Sequence, residues 1–152
     1  MNSKQQDVQA ILKLYELRRD EAMRKARAWY VTEFNPESAA DIIKTLVSGQ
    51  QESAYYRMVT SYWDMAASLV NNGGIDEQMF LEANTEHLGI FAKIEPFIAE
   101  VRETIGEQDY LAHIERLVLK VPNAREIMAN RRRLFSRWAK AKSAAADAGG
   151  QS

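Results

Sequence analysis

Tyr55-Tyr56-Arg57-Met58-Val59-Thr60-Ser61-Tyr62-Trp63-Asp64-Met65-Ala66-Ala67-Ser68-Leu69-Val70-Asn71-Asn72-Gly73-Gly74 is the stretch that decides the fold. Tyr55, Val59, Tyr62, Trp63, Ala66, Leu69 and Val70 recur at steps of three and four, which places them on one face of a helix from about Gln51 to Asn71. Asn71-Asn72-Gly73-Gly74 ends it with residues that tolerate positive φ.

The same period extends in both directions. Upstream, Val8, Ile11, Leu12, Tyr15, Ala22, Ala26, Trp29 and Tyr30 predict one long first helix, ending near Phe34. Asn35 as cap, Pro36 in the first helical position and Glu37 at the positive end of the dipole predict a fresh start, with Gly49 closing that short helix. Downstream, Asp76 caps a short helix carrying Met79, Phe80 and Leu81. Leu88, Phe91, Ile94, Ile98, Val101 and Ile105 stay in register across Pro96, where a kink or short break is expected, and Gly106 closes that helix. Tyr110, Ile114, Leu117 and Val118 form a sixth. Pro122-Asn123 starts a last one with Ile127, Met128, Leu134, Phe135 and Trp138. No window alternates with period two over five or more residues. The expectation is an all-α, single-domain bundle of about six or seven helices with long first and last helices. Residues 1–142 form the helical domain, and 143–152 a flexible Ala/Gly/Ser-rich tail.

The chain has 152 residues, 46% of them apolar, enough for a single real core. No apolar run spans a bilayer, and no secretory signal is visible at the start. Cysteine is absent, which removes disulfides, thiolate metal sites and cysteine nucleophiles and fits a cytoplasmic protein. The net charge of −1 hides an uneven distribution: residues 1–32 carry +3, residues 33–116 carry −10 and residues 117–152 carry +6. Basic terminal helices lying against an acidic body, within one molecule or between two copies, account for this most simply.

Reactive constellations are missing. His87 and His113 belong to no His-Glu-x-x-His or Glu-x-x-His element and read as surface or core filler, with Asp109 four residues before His113. The glycines form no phosphate loop, and no serine sits in a nucleophile elbow. Neither a cofactor nor a metal is expected, and the chain reads as non-catalytic. Trp29, Trp63 and Trp138 each fall on an apolar stripe and read as core. Arg131, Arg132, Arg133, Arg137 and Lys140 surround Phe135 and Trp138 and are the candidate anion contacts. Three consecutive arginines span most of a helix circumference, so they cannot all follow one phosphate strand. Tyr55, Tyr62, Trp63 and Glu95 are the candidate lining of an aromatic pocket.

Tyr62 to Asp76, with its Gly73-Gly74-Ile75-Asp76 turn, and Phe91-Ala92-Lys93-Ile94-Glu95-Pro96-Phe97-Ile98 with Arg102 one turn on, carry a resemblance. Over about residues 55–118 the chain resembles an uncharacterised bacterial all-helical family, a domain of unknown function. The resemblance implies a helical scaffold with no assigned activity and no catalytic residues, in which Arg102 pairs with an acidic neighbour such as Asp64. The first functional expectation is therefore a self-associating interaction or scaffold module, a homo-oligomer or a partner of another helical protein. The alternatives are a nucleic-acid-binding regulator using the basic last helix, and a small-ligand binder or enzyme with an aromatic pocket.

Overall fold

A computed structural model describes residues 3–150. Among them are α1 (Lys4–Arg18), α2 (Glu21–Thr32), α3 (Ala39–Val47), α4 (Gln51–Asn71), α5 (Glu77–Ala83), α6 (Glu86–Ala92), a 3-10 turn (Glu95–Phe97), α7 (Ile98–Ile105), α8 (Ala112–Leu119) and α9 (Ala124–Gly149), and no strand. The all-helical expectation holds. None of the described helices is long and apolar enough to cross a membrane.

The expected long first helix is two. Arg19 ends α1 in helical conformation, and Asp20 turns to ψ 142°, where its carboxylate accepts from the Ala22 N–H at 3.1 Å. An N-cap is thus formed inside an unbroken apolar stripe. Arg27 closes the joint by donating to the Arg18 carbonyl at the end of α1 and, through Nε and Nη2, to the Glu86 carboxylate at the start of α6. The predicted start at Asn35-Pro36 is also corrected. The cap of α3 is Ser38, whose Oγ accepts from the Asp41 N–H, while the Asp41 carboxylate reaches back to the Glu37 N–H. Asn35 to Glu37 form a link outside the helix.

Other expectations stand. Asp76 accepts from the Met79 N–H and caps α5. Gly73, at φ 78°, lets its own N–H reach the Val70 carbonyl and that of Gly74 the Leu69 carbonyl, a Schellman ending for α4. Gly106 ends α7 in the left-handed region. The break at Pro96 appears as the 3-10 turn, which accounts for the extra helix on that side. The stretch from Ser143, expected as a flexible tail, is instead helical as far as Gly149, where Ala144, Ala145 and Ala146 are strong helix formers.

α4 is the central column. It packs chiefly on α2 and α8 and also meets α3, α5 and α6, while α6 and α2 carry α9. Tyr30, Phe34 and Tyr56 form an aromatic chain with centroids 4.9 and 5.4 Å apart, and the Tyr30 hydroxyl donates to the Ile90 carbonyl at 2.6 Å. The Tyr56 and Tyr110 hydroxyls pair at 2.6 Å, and burial pushes both phenols upward. Two further buried polar side chains take partners: Asp7 accepts from the Asp76 N–H, and Asn84 accepts from Arg18.

Candidate functional site

Lys93 follows α6 in the run Leu88 to Ile98, which is otherwise largely apolar, and only 5% of it is exposed. Its ammonium reaches the end of α2. It donates to the carbonyls of Tyr30 at 2.6 Å, Phe34 at 2.6 Å and Val31 at 3.0 Å, with Asn35 Oδ1 at 3.4 Å. Its three protons match three carbonyls at the negative end of a helix dipole. Above it lies the Phe135 ring of α9, with Nζ 4.5 Å from the centroid. Burial pushes Lys93 down to about 7, and the carbonyls and ring pull the other way by favouring the cation. One side chain therefore holds α2, the end of α6 and α9 together. A lone lysine in an apolar run was the sequence signal for it.

Beside this seat is a cavity of about 470 Å³ between the Asn35–Glu37 link, the 3-10 turn and α9. Pro96, Phe97, Phe135 and Ala139 supply apolar wall, and Lys93, Arg132 and Lys140 supply cationic groups.

The candidate anion contacts of α9 divide. Arg132 donates to the Ala92 carbonyl at 2.8 Å and sits 3.6 Å from Glu95, which also attracts Arg125. Arg131 lies beside Gly89, and Arg133 donates to Asn130. Arg137 and Lys140 are exposed. Further along, Lys142 pairs with Glu33 of the link after α2. The basic last helix thus lies on carboxylates of the acidic body. Phe135 faces inward, whereas Trp138, expected in the core, is exposed and lies edge-on to Phe135, because three residues turn the helix surface by about 60° from the buried Phe135 direction. Of the other tryptophans, Trp63 is core and Trp29 is partly buried against it.

The candidate pocket residues sit in different surroundings. Tyr55 lies beside Trp29 with its hydroxyl accepting from Gln51, and Tyr62 donates to the Leu14 carbonyl. Trp63 is in the core against His87, and Glu95 faces Arg125 and Arg132. Asp64 does not pair with Arg102. It accepts from the Ile114 N–H and ties α8 to α4, while Arg102 pairs with Glu115 at 3.1 Å and donates to the Tyr110 carbonyl. His87 is buried between Trp63 and Phe80, neither ring nitrogen has a hydrogen-bond partner, and burial pushes it down to about 4. Among the described residues no three His, Asp or Glu side chains gather as a metal-binding set.

α1 turns Leu14 inward, with Ala10 and Ile11 packed against the core. Its other face shows Val8, Leu12 and Tyr15 at 44%, 58% and 46% exposure.

The family described as domain of unknown function (DUF4760) matches residues 4–121. The chain belongs to that family. The match takes in α1 through α8 and stops at Val121, so α9 and the wall it gives the cavity lie outside the DUF4760 region. No curated protein and no solved structure matches the chain.

Proposed function

We propose that this DUF4760 chain is a non-catalytic helical interaction module that pairs with a second copy of itself through α1. The observation that carries the reading is the outer stripe of Val8, Leu12 and Tyr15. A helix apolar on both sides is normally covered on both sides, and the body of this chain covers only one. A second copy fits because the stripe is complementary to itself. Antiparallel pairing centred on Leu12 sets Leu12 on its counterpart and Val8 beside Tyr15 of the other copy. The cysteine-free composition fits a cytoplasmic setting for such a module.

Light scattering on the purified chain at micromolar concentration tests this. A dimer is expected, and Leu12→Glu, at a solvent-facing position, is expected to give a helical monomer. A wild-type monomer at that concentration, or a dimer untouched by the substitution, rejects the reading.

A further inference from the structure

The cavity beside Lys93 has features that the α1 pairing does not use. Its volume, about 470 Å³, lies in the range of small-molecule sites. Its wall combines Pro96, Phe97 and Phe135 with three basic side chains, Lys93, Arg132 and Lys140, and one carboxylate, Glu37. The Lys93 hydrogen bonds all go to carbonyl dipoles and to the Asn35 amide oxygen, so its positive charge is solvated by neutral groups. Arg132 is partly offset by Glu95 behind it, and Lys140 stands exposed at the rim. A positive field over an apolar wall selects a ligand with an anionic head and a hydrocarbon body.

We infer that this groove binds a small soluble amphiphilic carboxylate. Its hydrocarbon part lies on Pro96, Phe97 and Phe135, and its carboxylate lies toward Arg132 and Lys140. Lys93 lies beneath and keeps its carbonyl partners. Because α9 lies outside the family match, the site belongs to this chain's C-terminal helix docked on the DUF4760 core.

Isothermal titration calorimetry of the full chain with decanoate, and with decanol as its uncharged counterpart, tests the inference. Decanoate is expected to bind at one site per chain, more tightly than decanol and less tightly as salt is raised. Lys140→Gln, at an exposed position, is expected to weaken decanoate roughly two- to fivefold, the range of one screened surface ion pair. Ala139→Trp fills the groove from its α9 wall and is expected to abolish the decanoate heats while circular dichroism stays helical. The Leu12→Glu chain is expected to bind decanoate undiminished, which separates this site from the α1 pairing. Absence of binding, equal binding of decanol, or unchanged binding by Ala139→Trp overturns the proposal.

Discussion

His87 shows what one side chain can impose. It sits in the core at 1% exposure with both ring nitrogens unpaired, so the folded state holds it neutral down to about pH 4. In the unfolded chain it takes a proton near its ordinary value of 6.5. Between those values the unfolded chain binds more protons, so stability is full above 6.5 and is lost as pH falls toward 4. The expected loss from this group between neutral pH and about pH 4.5 is roughly 2 kcal/mol. Urea unfolding of wild type and His87→Leu at both pH values checks it, since the variant is expected to lose that much less. An identical loss in both would place the acid sensitivity elsewhere. The sequence shows His87 only as a residue without a metal motif, and its reading as surface or core filler narrows to core. Lys93 was harder to see. Its neighbours Phe91, Ala92 and Ile94 give the helical period, but its carbonyl partners lie about sixty residues away in the chain. Local pattern carries no information on that pairing.

At the scale of helices, Gly89 sets how closely α6 and α9 approach. A Cβ added there would lie 2.9 Å from the Phe135 ring, which cannot yield without leaving its place over Lys93. Gly89→Ala is therefore expected to destabilise the fold by about 1–3 kcal/mol, the usual cost of overpacking. It should also lift Phe135, a change read as lower thermal stability with altered ring chemical shifts. A variant as stable as wild type would mean that α9 is not held there. Helix ends were legible where the signal is chemical and local: Asp76, Gly73, Gly106 and the turn at Pro96. They were misread where two residues competed. Ser38 rather than Asn35 caps α3, because Ser38 Oγ reaches the Asp41 N–H. Asp20 starts a helix in mid-stripe, because the apolar period runs through the α1–α2 joint unaltered and only the cap marks it.

For the whole molecule, the charge blocks have a structural counterpart. Arg27 meets Glu86, Arg132 and Arg125 meet Glu95, and Lys142 meets Glu33, so cations of both termini lie on carboxylates of the body. These pairs are partly or largely exposed and each contributes little. They orient the terminal helices, and apolar burial stabilises them. That much was readable from composition. The placing of Tyr55, Tyr62, Trp63 and Glu95 was not, since it depends on which neighbour each helix face meets. The central position of α4 has a kinetic consequence. Tyr56, Val59, Trp63, Ala66 and Ala67 are all buried beneath neighbours on several sides, whereas α9 beyond Ala139 lies open to water. Backbone amides in the middle of α4 can trade hydrogen for deuterium only when the entire bundle opens, and those near the end of α9 trade through local fraying. Mass spectrometry after transfer to heavy water is expected to find the slowest label uptake between Tyr56 and Ala67. Uptake there as fast as in the last two turns of α9 would mean that the column at the middle of the bundle is not what the other helices are built around.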